Sequence, residues 1–225
     1  MLKKIIIPAV SVTGLALSGC ATQQATTYPS FTAAPVAQNT QTALFTQKIN
    51  TVFVIVDASN SKNDTHDAHN ATKFDVEKQF LYRFNKTIPA NIRLSSGLRN
   101  FGMGSCLDWK ATNLVQNISS HSHSQFQASI DKMACASGGS PMEKALAAAA
   151  TDLDKASGKT ALLMIADGHR ISPDALTEAQ ALEDKFGDKL CIYSIWVGND
   201  DEQDGQFLLQ EMSNIAGCGL SESVT

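Results

Sequence analysis

Residues 51–56 are a short, almost wholly apolar β-branched run, and the mainly apolar runs 160–166 and 190–198 read as further strands. A strand with no polar alternate face must be covered on both sides, the condition of a central strand in a parallel sheet. The segments between them switch to helical spacing. Residues 73–86 place Phe74, Glu77, Leu81 and Phe84 on one stripe, with Pro89 beyond the end. Residues 91–101 hold a second strand ending in Phe101-Gly102, a weaker strand falls within 111–118, and a short helix runs from about 124 to 133. In 140–153, Ser140 suits the N-cap, Pro141 the first helical position and Glu143 a reciprocal cap, with Met142, Leu146, Ala149 and Leu153 on one face. Helices over 173–186, with Leu176, Ala179 and Leu182 inward, and 206–216, stopped by Gly217, complete the alternation. The pattern predicts a three-layer α/β domain with helices on both faces of a mostly parallel central sheet.

The N-terminus has a different character. Lys3 and Lys4 precede an apolar run over 5–17 that is too short to span a bilayer, and Leu17-Ser18-Gly19-Cys20 follows. This arrangement resembles a bacterial lipoprotein signal. The resemblance implies cleavage before Cys20, acylation of that cysteine and, with Ala21 next to it, an outer-membrane address. Three segments are thus expected: a signal peptide over 1–19, a lipidated flexible tether over 20–46, and a folded domain over 47–225. The tether is Thr, Gln, Ala, Ser and Pro with little charge, too polar to offset its chain entropy by burial. Eighteen basic against 22 acidic residues leave no basic stripe, which excludes nucleic acid as a partner and leaves the lipid as the membrane contact.

In an open parallel sheet, ligands bind beyond the C-terminal strand ends, so the residues after Val56 and Ala166 are the ones that matter. Val56 runs into Asp57-Ala58-Ser59-Asn60-Ser61, Ala166 runs into Asp167-Gly168, and Gly138-Gly139-Ser140 brings a further hydroxyl to a helix start. An all-oxygen set with two carboxylates suits Mg2+, tolerates Mn2+ or Ca2+, and suits zinc poorly. The Asp57-x-Ser59-x-Ser61 strand end, the GGSP segment and Ala166-Asp167-Gly168 resemble the metal-ion-dependent adhesion site of von Willebrand factor A (VWA) domains. The stretches SGLRNFG, CASGGSPMEKAL, CIYSIWVG and IAGCG are similar to bacterial VWA lipoproteins that often carry an OmpA-like domain.

The resemblance implies a three-layer Rossmann-like VWA fold with Asp57, Ser59, Ser61, Ser140 and Asp167 as metal ligands. Ser140 stands where threonine is usual, and Lys62 stands where a small or sulfur-bearing residue is usual. The long polar segment from Lys62 to Thr72 is expected to shade the site or to shape a partner surface. Five protein oxygens leave one metal position for an Asp or Glu carboxylate of a partner protein, so the expected function is adhesion or scaffolding at the cell envelope.

Other readings of the same residues differ in chemistry. Asp57 with Mg2+ superficially matches an aspartate-nucleophile phosphoesterase, but Ser59 stands where that chemistry wants a second carboxylate. No catalytic residue is therefore assigned, and an envelope hydrolase or a metal-free structural lipoprotein is the alternative. His66 and His69, near Asp64 and Asp67, and the pair His121 and His123 are read as solvated loop residues, because no periodic element fixes them as ligands. Four cysteines remain for two disulfides in an oxidising compartment. The strand over 190–198 and the helix over 206–216 run in opposite directions, which returns Cys218 to Cys191. Cys106 and Cys135 then brace the metal loop.

Overall fold

A computed structural model describes residues 46–104, 107 and 109–224. The predicted signal peptide, Cys20, nearly all of the tether, and Cys106 lie outside the described residues.

Strand β1 (Thr51–Asp57) is buried at every position, as its unbroken apolar run requires. It pairs in parallel with β4 (Ser95–Phe101) on one side and β6 (Thr160–Ala166) on the other. Beyond β6 lie β7 (Leu190–Trp196) and the short β8 (Ser221–Ser223), both parallel, while β5 (Thr112–Ser120) closes the other edge antiparallel to β4. The sheet order is β5-β4-β1-β6-β7-β8. Two residues from each side of the segment after β1 form a separate antiparallel hairpin, β2 (Thr65–His66) with β3 (Ala71–Thr72).

The helices follow as α1 (Lys73–Thr87), α2 (His123–Lys132), α3 (Met142–Asp152), α4 (Asp174–Phe186) and α5 (Gln203–Ile215). From β1 the chain steps to β4 through α1, and later returns to the far side of β1, stepping outward from β6 through α4. Right-handed crossovers in opposite directions from β1 put these helices on opposite faces. On one face Phe53, Ile55, Leu162, Met164 and Ile192 pack with Met142, Leu146, Ala179, Leu182, Leu209 and Met212 in a single core cluster. Strand alternation sends the equally buried Val54 and Val56 to the other face.

The expected three-layer architecture is therefore observed, with differences at element ends. The 190–198 strand stops at Trp196, and the last helix begins at Gln203 instead of 206. Strand β8 and the β2–β3 hairpin are too short and polar to announce themselves in the sequence. The start of α3 corrects the capping expectation. Pro141 sits at φ −79°, ψ 61°, and the Met142 N–H donates to the Ser140 carbonyl at 2.9 Å, an inverse γ-turn. That turn delays the helix to Met142, so Ser140 does not cap it, and Glu143 Oε2 has no hydrogen-bond partner.

Cys191 and Cys218 form the predicted disulfide, at the N-terminal end of β7. Cys135 is also disulfide-bonded. The Cys191–Cys218 bridge spans 27 residues, and closing a loop of that size in the unfolded chain contributes about 3–4 kcal/mol. Cys191→Ala/Cys218→Ala should shift the urea midpoint by a corresponding amount; an unchanged midpoint would show that the bridge restrains nothing.

Candidate functional site

Asp57 is the last residue of β1, and Asp167 follows the last residue of β6, so neighbouring parallel strands deliver both carboxylates to one end of the sheet. Each is shaped by its own loop in the same way. Asp57 Oδ1 accepts from the Ser59 N–H at 2.7 Å, and Asp167 Oδ1 accepts from the His169 N–H at 2.9 Å. Such Asx turns use one carboxylate oxygen for the backbone and leave the other free. The free oxygens, Asp57 Oδ2 and Asp167 Oδ2, are buried and have no hydrogen-bond partner. Ser59 Oγ and Ser61 Oγ, both buried, lie 3.1 Å apart.

The loops are fastened to one another through their backbones. Ala58 N–H donates to Phe101 O, Ser137 N–H to Ala58 O, Asn60 N–H to Gly138 O and Met103 N–H to Ser137 O, at 2.7–3.1 Å. Gly138 makes this contact possible: at φ +76° it presses so close to Met103 that a Cβ would lie 1.3 Å from the Met103 carbonyl. Gly168, at φ +77°, meets Gly205 of α5 with no side chain between them; a Cβ there would lie 2.2 Å from the Gly205 Cα. Trp196 Nε1 donates to Asp167 O at 2.9 Å and fixes the third loop from β7. Ser140 is half-buried in the GGSP segment, and its hydroxyl hydrogen-bonds to nothing among the described residues.

Four charged side chains that the motif did not include surround this constellation. Lys62, in a single 3-10 turn (Asn60–Asn63), is fully buried. Its Nζ lies 2.7 Å from Glu77 Oε1, 3.4 Å from Val197 O and 3.7 Å from Asp167 Oδ2. Lys73, 1% exposed at the start of α1, places its Nζ 3.6 Å from the same Asp167 oxygen and pairs with Glu202. Glu202 also accepts from the Asn199 N–H at 2.8 Å, while Asn199 holds the β2–β3 hairpin through Thr65 O and the Asp67 N–H. The polar segment after Lys62 is thus folded down beside the site.

The electrostatics follow from burial and these neighbours. Burial pushes the Asp57 carboxyl up to about 7, with the Lys62 ammonium opposing it and Asp167 adding to it. Burial also pushes Asp167 up. There the Lys62 ammonium, the His169 N–H, Ser61 and Lys73 outweigh it and hold the group below its ordinary value. Lys62 is pushed down by burial but held above its ordinary value by Glu77, Asp167 and Asp57. Burial raises Glu77 well above the ordinary carboxylate range, offset in part by Lys62.

Two observations test whether a divalent cation fits. The oxygens without a hydrogen bond belong to the two carboxylates of the predicted ligand set, and the two buried hydroxyls come from the loop that follows Asp57. With every group ionised, the ammoniums of Lys62 and Lys73 face the carboxylates of Asp57, Glu77, Asp167 and Glu202, so two negative charges remain. A hard dication matches both the donors and the charge.

The histidines correct the expectation that they are solvated. His66 is 3% exposed, with neither ring nitrogen hydrogen-bonded, and its ring centroid lies 4.9 Å from that of His69. It borders a cleft of about 380 Å³ with Trp196, Asn199 and Gln206. His121 and His123 are half-buried, near Ser96 Oγ and Asn85 Oδ1 respectively. His169 is exposed and serves the site through its backbone. Glu77 carried a readable signal, since it occupies the apolar stripe of α1 between Phe74 and Leu81.

No protein-family model matches the sequence, and no curated protein matches it. Solved structures do. An aerotolerance-related membrane protein from Bacteroides fragilis is 15% identical and has a TM-score of 0.60, covering 78% of this chain and 92% of its own. The pilus adhesin SpaC from Lactobacillus rhamnosus GG is 16% identical with a TM-score of 0.57; the match covers 80% of this chain and 28% of SpaC. A von Willebrand factor type A protein from Catenulispora acidiphila is 16% identical with a TM-score of 0.56, over 80% of this chain and 39% of its own. The strand order, the helices on both faces and these likenesses agree: the chain has the three-layer, Rossmann-like fold of a VWA domain.

Proposed function

We propose that this domain is a protein-binding module of the cell envelope that engages its partner at the Asp57–Asp167 end of the sheet, with a divalent cation in the interface. The observation that carries the reading is the pair of buried oxygens without a hydrogen bond, Asp57 Oδ2 and Asp167 Oδ2, at the ends of adjacent parallel strands. Asp57, Asp167 and the hydroxyls of Ser59, Ser61 and Ser140 would hold Mg2+, with Mn2+ or Ca2+ as substitutes. When bound, the cation offers an electrophilic position to an Asp or Glu carboxylate of the partner.

The rest is done by this chain. The Asx turns pre-aim one oxygen of each carboxylate, and the backbone bonds among the loops fix them before any partner arrives, which lowers the ordering cost of association. The loop after β4, fastened to the same cluster through Met103, exposes Met103 at 47% and Trp109 at 75%. Exposed aromatic and Met side chains beside a charged anchor are the composition of an interaction hot spot. Ser59 and Ser61 hydrogen-bond to each other and lie beside the carboxylates of Asp57 and Asp167, so their hydroxyls are read as ligands of the cation and not as nucleophiles. SpaC, one of the structural neighbours, is itself an adhesin. The lipid anchor on Cys20 would tie the domain to the outer membrane, facing the periplasm or the cell exterior. Among the described residues no helix is long and apolar enough to cross a membrane.

Calorimetric titration with Mg2+ and Mn2+ should give saturable binding that Asp57→Ala abolishes. Capture of a partner from envelope extract should fall at least tenfold in Asp167→Ala and in EDTA. Equal capture in every condition would remove the metal from the mechanism. Mg2+-dependent turnover of phosphate esters, lost in Asp57→Ala, would replace the adhesion reading with the enzymatic one.

A further inference from the structure

Two lysines without solvent contact in one small domain require an explanation. Lysine is among the residues least often fully buried, and burying an ion pair costs more in desolvation than an apolar pair of the same volume. Lys62 and Lys73 converge on a single atom, Asp167 Oδ2, from 3.7 and 3.6 Å. That atom is one of the two oxygens a cation at this site would need.

Their tethers differ. Lys73 is held toward the rim by Glu202, which is 19% exposed. Lys62 is held in the interior by Glu77, itself fully buried on the inner face of α1. Lys62 follows Ser61 directly, so the loop that supplies two hydroxyls to the site also supplies a permanent positive charge beneath it.

We infer that Lys62 is a resident cation of this site: anchored by Glu77, its ammonium compensates the free oxygen of Asp167 when no metal is bound and competes with a divalent cation for that oxygen. The inference rests on the site as read above and concerns how strongly that site depends on metal. It has two consequences. The β1 and β6 loops stay assembled in metal-free protein, because Asp167 is never left without a counter-charge. Metal binds weakly, because entry must displace or oppose an ammonium that cannot diffuse away.

The test removes the resident charge together with Glu77, so that Glu77 is not left buried without its counter-ion, while Lys73 remains beside Asp167. Wild type and Lys62→Met/Glu77→Met are titrated with Mg2+ and with Mn2+ by calorimetry, and both are melted in EDTA and in excess Mg2+. Circular dichroism checks that the variant is folded; if the Met pair does not fold, Lys62→Gln/Glu77→Gln carries the same test. The variant should bind Mg2+ at least tenfold more tightly than wild type. Its melting temperature should rise by several degrees on adding Mg2+, while that of wild type changes little. Equal affinities, or melting that responds equally to EDTA in both proteins, would overturn the inference. Metal binding by the variant but not by wild type would support it while sinking the metal-dependent reading of function. Binding by neither would sink both.

Discussion

Lys62→Met alone should cost about 3–5 kcal/mol of folding free energy, because it leaves Glu77 buried without its 2.7 Å counter-ion. Lys62→Met/Glu77→Met should recover most of that loss, since an apolar pair of similar volume replaces a charge that no longer has to be desolvated. The single variant should also acquire a pH dependence of known sign. Burial raises Glu77 well above its ordinary value of 4.5, and without Lys62 less opposes the shift. Stability from a raised acid is fully present below its unfolded pKa and is lost as pH rises through its folded pKa. The penalty of Lys62→Met should therefore be smaller at pH 5 than at pH 8. Urea unfolding of the three proteins at both pH values measures this. Equal stability of the single and double variants would mean that the Lys62–Glu77 contact does not matter to the fold.

A second large effect is expected from Asp57 in metal-free protein. Its folded pKa is about 7 against an ordinary 3.8, because burial disfavours the charged form. In EDTA, protonated Asp57 stabilises the fold below about pH 4, and that contribution disappears as pH rises through 7, reaching about 4 kcal/mol at full titration. Asp167 has the opposite sign: its pKa is lowered, so its contribution is present above 3.8 and is lost only in stronger acid. Between pH 4 and 8 Asp57 contributes to the slope beside Glu77, whose carboxyl burial also raises, and His66 and His121, which burial lowers, so Asp57→Asn should reduce it by the share of Asp57. Saturating Mg2+ at pH 7 should change wild-type stability little, because the Lys62 ammonium already faces Asp167 and opposes the entry of the cation. Parallel pH profiles for wild type and Asp57→Asn would refute the assignment.

The two expectations concern the same cluster, yet only part of it could be read before the fold was known. Asp57 and Asp167 were legible because each stands at the end of a buried apolar run, and a parallel sheet presents such ends on one side. The Cys191–Cys218 bridge was legible for a similar reason, since a strand and its returning helix bring their outer ends together. Glu77 was visible only as an anomaly, a carboxylate on an otherwise apolar stripe.

The sequence by itself determined the alternation of the longer strands and helices, the two-sided burial of β1 and β6, and thereby the end of the sheet where two carboxylates meet. These follow from periodicity and from the handedness of crossovers, which are local rules. The tertiary structure alone decided what surrounds those carboxylates. Lys62 and Glu77 stand 15 residues apart, Lys73 and Glu202 129 apart, and no spacing rule connects either pair. Packing also buried His66 within a hairpin too short to predict, and released Ser140 from its cap through the turn at Pro141. Side-chain charges are placed by three-dimensional proximity and the cost of burial, neither of which has a period along the chain.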